Sequence, residues 1–331
     1  MPAEWAAHAR CWMAWPCRKA IWGDGLVEAE RAYAEVARAI SRFEPVTMVV
    51  APGDEEGARE RCGPGIDVMA LPIDDSWMRD TGPTFLIDAG GGLAGVDWRF
   101  NAWGGKYDAY DQDARLAARI LESVGARRFA APLTLEGGAI HCDGEGTVLA
   151  TESVLLNANR DGPRSASEVE GRLAEWLGAE KVIWLPAGLA EDETDGHVDN
   201  VACFSRPGRV LVPIAPDPDD PNHDILQRNR EVLEASTDAR GRKLQVTAIE
   251  QPTQLDGLGK PSAASYINFY VANGGVIVPR FGIAQDVAAA ATIGAAFPGR
   301  AVAPVDARPI VRGGGGIHCI TQQQPEASCD R

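Results

Sequence analysis

Apolar residues recur along this chain with two different periods, and the two alternate. Leu26, Ala29, Ala32, Tyr33, Val36 and Ile40 stand three or four apart, which predicts an amphipathic helix over 25–44. The β-branched run 46–50 predicts a buried strand ended by Pro52-Gly53. After a short acidic helix come strands over 66–73, 84–88 and 93–100. A helix over 111–123 follows, its cap near Asp108 or Asp111. Asp143-Gly144-Glu145-Gly146 predicts a hairpin turn. The segment 167–177 predicts a helix that starts near Ser165 or Ser167 and stops at Gly178. Strands are expected over 182–185, 197–204, 209–214 and 244–249, with a helix over 219–235. Asn273-Gly274 centres a hairpin over 266–278, a helix covers 284–297, and a last apolar strand from Pro309 runs through four glycines to Cys319. No stretch has a linker's composition, so the expectation is a single α/β domain over 1–331.

One short pattern occurs twice. Gly137-Gly138-Ala139-Ile140-His141-Cys142 matches Gly314-Gly315-Gly316-Ile317-His318-Cys319 at all but one position, 177 residues apart. If that offset spans three supersecondary units, each holds roughly 59 residues and the chain about five of them, which suggests a ring or propeller.

Composition narrows the function classes. The chain carries a formal charge of −15, without the basic stripe that a phosphate backbone requires, so nucleic acid is not an expected partner. That charge suits a cationic substrate. No apolar run reaches the roughly 18 residues of a membrane span. The first residues lack the basic-then-apolar pattern of a signal peptide, so the expected location is the cytoplasm. Seven cysteines without a CxxC pair fit reduced thiols, and the five scattered histidines give no metal-ligand spacing. Neither metal nor organic cofactor is expected.

Candidate chemistry lies where apolar strands meet polar loops. Residues two apart on a strand share a face, so a strand at 197–204 would project His197 and Asp199 together. His318 and Cys319 are adjacent and would point apart, which makes His318 a poor base for Cys319 and leaves His197 as the better one. The same holds for His141 and Cys142. Asp80, at the mouth of its own strand, reads by default as half of a surface ion pair with Arg79. If the units surround one axis, Asp80, Glu136, His197, Asp199 and Cys319 can converge. Three carboxylates, an imidazole and a thiol suit a planar guanidinium: carboxylates at its edges, sulfur over its central carbon.

The motifs Asp75-Ser76-Trp77-Met78-Arg79-Asp80-Thr81-Gly82-Pro83, Asn101-Ala102-Trp103-Gly104-Gly105, Leu135-Glu136-Gly137-Gly138, Thr194-Asp195-Gly196-His197-Val198-Asp199-Asn200 and Ile317-His318-Cys319-Ile320-Thr321-Gln322-Gln323 resemble the agmatine deiminase family. So does the opening Met1-Pro2-Ala3-Glu4-Trp5. The resemblance implies the guanidine-modifying (pentein) fold, a five-bladed α/β propeller of pseudo-symmetric ββαβ units. It implies Cys319 as nucleophile rather than Cys142, His197 as general acid and base, Asp80 and Asp199 as holders of the guanidinium, and Glu136 as the group orienting His197. Gly316 stands where that family usually carries Asn.

The implied reaction is deimination of agmatine to N-carbamoylputrescine and ammonia through an amidino-cysteine, a step towards putrescine. Glu193, in an acidic loop before His197, is the candidate for the substrate's amine; Trp77 and Trp103 are candidates to wall its methylene chain. A homodimer is an expected assembly. Deimination of peptidyl arginine is the alternative within the superfamily. A thiol amidohydrolase acting on an uncharged amide would dispense with Asp80, and a binding propeller without catalysis would dispense with Cys319.

Overall fold

The structure is a computed structural model describing residues 1–327 except 163, 254 and 256–263. Its strands form five small mixed sheets, and each repeats one plan. A first strand pairs antiparallel with a second, the chain crosses over through a helix, and a third strand joins parallel to the second. Blade 2 is Thr84–Ile87, Leu93–Arg99 and Arg127–Thr134; blade 3 is Ile140–Cys142, Thr147–Thr151 and Lys181–Leu185. Blade 4 is Cys203–Arg206, Arg209–Ile214 and Gln245–Glu250; blade 5 is Tyr270–Ala272, Gly275–Arg280 and Ala301–Asp306. Blade 1 joins the two ends of the sequence: Thr321–Pro325 pairs antiparallel with His8–Ala14, and Val46–Val50 and Ile66–Ala70 follow in parallel. The fold is the five-bladed α/β propeller. Blades 3 and 1 are three units apart, but the two copies of the repeated pattern fall at different points of them: Ile140–Cys142 is a first strand, whereas residues 317–319 precede one.

The crossover helices follow the apolar periodicity. Leu26–Ser41 buries Ala29, Ala32, Tyr33, Val36, Ala37 and Ile40 on one face. Ala166–Leu177 opens on a capping box, in which Ser165 accepts from the Glu168 amide and Glu168 reaches back to Ser165. It closes on Gly178 at φ 71°. Among the described residues no helix is long and apolar enough to cross a membrane. Six cysteines are free thiols, and Cys329 lies outside the described residues.

Four expectations need correction. The strands His8–Ala14, Arg127–Thr134 and Ala301–Asp306 had no counterpart in the sequence reading. The last two are third strands at sheet edges, exposed on one side and too weakly apolar to stand out. The run from Pro309 is a helical turn, Arg308–Val311, with proline in the first turn where its missing N–H costs nothing. Cys319 therefore sits in a turn ahead of Thr321–Pro325, not at the end of a strand. Val198–Asn200 is likewise a 3₁₀ turn, so His197 and Asp199 do not share a strand face. Residues 266–269 stay outside the strand pairing of the last hairpin, although its Asn273-Gly274 turn is as expected.

These turns are the device that builds the centre of the ring. Each blade's first strand is preceded by a short turn bearing a polar side chain: Asp80 in Met78–Thr81, Glu136 before Gly137–Ala139, and Asp199 in Val198–Asn200, each four residues before its strand. In the remaining blades Asn268 and Cys319 occupy that place, each two residues before the strand.

Candidate active site

All five converging candidates are buried in one group. Asp80 Oδ1 accepts from the Gly138 amide at 2.9 Å, and Asp80 Oδ2 accepts from Trp103 Nε1 at 2.9 Å. His197 Nδ1 lies 3.8 Å from Asp80 Oδ1, and its Nε2 lies 3.4 Å from Glu136 Oε2. The Cys319 thiol points to Asp199 Oδ2 at 3.5 Å. Asp80 is not paired with Arg79, as its neighbour in sequence suggested. Arg79 is itself buried and turns away to Glu4, at 3.3 Å.

Gly138 marks the middle of the group. A methyl there would lie 2.6 Å from His197 Nδ1 and 3.0 Å from both Asp199 Oδ2 and Asp80 Oδ1. Chaining these contacts bounds the distance from the sulfur to the imidazole at about 9 Å. Asp199 Oδ1 is buried and has no hydrogen-bond partner, which in an ionised carboxylate marks a place for a donor from outside the protein.

The charges are strongly coupled. Burial would push the His197 imidazole towards neutrality, but Asp80 and Glu136 outweigh it and raise its pKa to about 9. Burial, with Asp199 and Asp80 beside the sulfur, pushes the Cys319 thiol well above its ordinary value. Burial raises Asp80, and the neighbouring Asp199 and Glu136 add to it. Glu136 is held below the usual carboxylate value against its burial, by the hydrogen bond to His197 and the charge of Arg160. Asp199 is lowered against its own burial by His318 and His197. Surplus negative charge therefore faces the place beside Gly138. A bound cation would relieve it and let the thiol ionise.

Two tryptophans shape the approach. Asp75, buried, accepts from Trp22 Nε1 at 3.2 Å and Trp77 Nε1 at 2.8 Å, holding the two rings stacked at 5.7 Å. The glycine run lies flat on them: a methyl at Gly313 would come within 2.4 Å of Trp22, and one at Gly315 within 2.3 Å of Trp77. Only a chain without Cβ atoms can pass so close. Trp103 reaches Asp80 from a left-handed turn in which Ala102 and Trp103 both have φ 54°. Such strain in non-glycine residues persists where surrounding contacts impose it.

The cleft above is lined by Ile21, Trp77, Trp103, Tyr107, Glu193 and Gly314. Glu193 Oε2 accepts from the Tyr107 hydroxyl at 3.2 Å, and its carbonyl accepts from Lys106 Nζ. The acidic loop is not uniformly solvated. Asp192 turns inward to Thr194 and Asn200, whereas Glu193 stays exposed at the mouth.

Three groups escaped the sequence reading. Asn268 Nδ2 donates to the Cys319 sulfur at 3.3 Å. A side chain at residue 316 would begin 2.2 Å from Asn268 Oδ1, so Gly316 leaves the amide of Asn268 in that space. Arg160, fully buried, joins Glu136 at 2.9 Å to Asp195 and the Thr194 carbonyl, tying the acidic loop to the partner of His197. Glu4, the third, lies beneath Asp199 with His318 between them. Only the position of Asn268, at the start of the fifth unit, could have flagged it. Cys142 is elsewhere: its sulfur faces the Met1 and Pro2 carbonyls.

The family model described as Porphyromonas-type peptidyl-arginine deiminase matches residues 1–325. An agmatine deiminase of Pseudomonas aeruginosa (strain LESB58) is 47% identical over 349 aligned residues, covering 98% of this chain and 95% of that protein. The structure of Enterococcus faecalis agmatine deiminase superposes with a TM-score of 0.94 at 38% identity, covering 98% of this chain and 95% of that one. A C. jejuni agmatine deiminase, solved with substrate bound as a cysteine-to-serine variant, superposes with a TM-score of 0.88 at 27% identity, covering 99% of this chain and 96% of that one.

Proposed function

The chain belongs to the Porphyromonas-type peptidyl-arginine deiminase family, and from that premise we propose that it hydrolyses agmatine to N-carbamoylputrescine and ammonia. The observation that carries the chemistry is the place beside Gly138, bordered within 3.0 Å by Asp80, Asp199 and His197 and overlooked by the Cys319 thiol. A guanidinium there presents N–H groups to Asp80 and Asp199, and its carbon to sulfur. Its positive charge offsets the carboxylates that keep the thiol protonated, so the sulfur ionises to solvent as substrate arrives.

Attack then proceeds in two halves. Thiolate adds to the guanidinium carbon, forming a C–S bond and a tetrahedral adduct. His197, already an imidazolium near neutral pH, gives a proton to one nitrogen, and the C–N bond breaks to release ammonia. Neutral His197 next takes a proton from water as its oxygen adds to the amidino carbon. The C–S bond then breaks as the new hydroxyl releases its proton to solvent, leaving the carbamoyl product and a thiolate. Glu136 holds the imidazole in place through both halves, and Arg160 keeps Glu136 ionised.

Two assays test this reading. Ammonia release from agmatine should far exceed that from a peptidyl-arginine substrate, and acid-quenched enzyme should carry an amidino group on Cys319 by intact mass. Turnover of the peptide with none of agmatine, or turnover without the adduct, would sink it.

Glu193 at the mouth is the group for the distal ammonium. Glu193→Gln should raise KM for agmatine about tenfold, the effect of losing roughly 1.4 kcal/mol of binding. KM for butylguanidine, which lacks the amine, should stay as it was. Equal loss for both compounds would remove Glu193 from that role.

A further inference from the structure

The repeated motif carries two histidines whose purpose the reaction leaves open, and both lead to one buried carboxylate. Glu4 Oε1 lies 2.8 Å from His318 Nε2, and Glu4 Oε2 lies 3.6 Å from His141 Nε2. The two rings, one from blade 3 and one beside the nucleophile, are inclined at 29° with centroids 6.3 Å apart. The other nitrogen of His318, Nδ1, lies 2.9 Å from Asp199 Oδ2. A carboxylate ion offers only acceptors. With one on each side at hydrogen-bonding distance, both His318 nitrogens must donate, and the ring between them is an imidazolium. That also explains why it cannot serve Cys319 as a base: neither nitrogen is available.

We propose that His318, clamped between Glu4 and Asp199, is a positioning residue for the guanidinium: it takes up Asp199 Oδ2, keeps that carboxylate ionised, and leaves Oδ1 free to accept from the substrate. The proposal rests on the deiminase reading above. The unpartnered, buried Oδ1 is its independent support. The charged and titratable groups around the pair are Glu4, Arg79 and His141 on the inner side, His197, Asp80 and Cys319 on the substrate side, and Asp192 and Cys203 from blade 4. Burial and Arg79 oppose a charge on His318, yet Glu4 and Asp199 prevail and raise its pKa. Glu4 in turn is held well below the usual carboxylate range against its burial, by His318 and Arg79. The opening motif Met1-Pro2-Ala3-Glu4-Trp5 thereby acquires a function in substrate binding although Glu4 never touches the substrate.

The test reads agmatine binding by calorimetry across pH in the Cys319→Ala enzyme, with and without His318→Gln. Glutamine supplies an N–H but no charge. Without the imidazolium, Asp199 protonates more readily, so the acid limb of binding should move to higher pH by about one to three pH units. An acid limb that stays in place, with binding otherwise intact, overturns the proposal. If His318→Gln does not fold, Glu4→Gln decides in the same way, since it removes the charge that holds the ring protonated. Independently of any variant, ¹⁵N NMR of the native enzyme at pH 7 should find both His318 nitrogens protonated, and a neutral tautomer overturns the proposal. If Cys319→Ala binds no agmatine at any pH, the deiminase reading itself has failed, a result distinct from an unmoved limb.

Discussion

Cys319→Ala is expected to lower kcat/KM for agmatine by at least about 10⁴-fold, because the variant loses the group that forms the covalent bond. Agmatine binding should survive, since Asp80, Asp199 and Glu193 are untouched. It should even tighten, because burial and the two carboxylates place the thiol's pKa so high that substrate must drive out a proton before the sulfur ionises. Removing the sulfur removes that cost. Steady-state ammonia release and calorimetry on the same preparation check both halves. Turnover within tenfold of the native enzyme would mean that the thiol is a bystander. The charge balance around it would then need another explanation.

The second large effect comes from one added carbon. Gly138→Ala puts a methyl 2.6 Å from His197 Nδ1 and 3.0 Å from both aspartates, intruding on the space the guanidinium would take. Backbone conformation is no obstacle, as Gly138 does not have a positive φ. Overpacking of this kind costs about 1–3 kcal/mol of stability, so the protein should still fold. Its kcat/KM should nevertheless fall by at least about 10³-fold, with binding lost together with turnover. Cys319→Ala and Gly138→Ala thus fail differently: the first binds without reacting, the second does neither. Thermal unfolding, agmatine calorimetry and ammonia release measure the three quantities. A Gly138→Ala enzyme with native binding would show that the cation sits elsewhere.

Much of this was legible before any coordinates, and for a physical reason. The candidate groups stand just ahead of the first strands of a repeated unit, so polar signatures interrupt apolar runs at regular intervals. Asp80, Glu136, His197, Asp199 and Cys319 are all visible that way. What misled was local geometry. The segment 197–204 looked extended, but a 3₁₀ turn carries His197 and Asp199, and they meet around Gly138 rather than along one strand face. The Arg79-Asp80 dipeptide looked like a surface pair, but the two side chains diverge in the interior, one to Glu4 and one to His197.

Other groups were illegible because their meaning lies in partners far along the chain. Arg160 matters only because folding sets it between Glu136 and Asp195. Asn268 lies among aromatic and β-branched neighbours and reads as an ordinary polar residue until its amide is found against the sulfur. Glu4 lies 314 residues from His318, a separation at which no periodicity operates.

The pairing of His8–Ala14 with Thr321–Pro325 sets an order of events during synthesis. The ribosome makes the acidic and imidazole groups first and the sulfur last, and the strand needed to shut the ring comes directly after that sulfur. An unfinished polypeptide can therefore collapse around its early blades without ever exposing a working nucleophile to cellular amidines. In the proposed reaction, reactivity arrives only with closure.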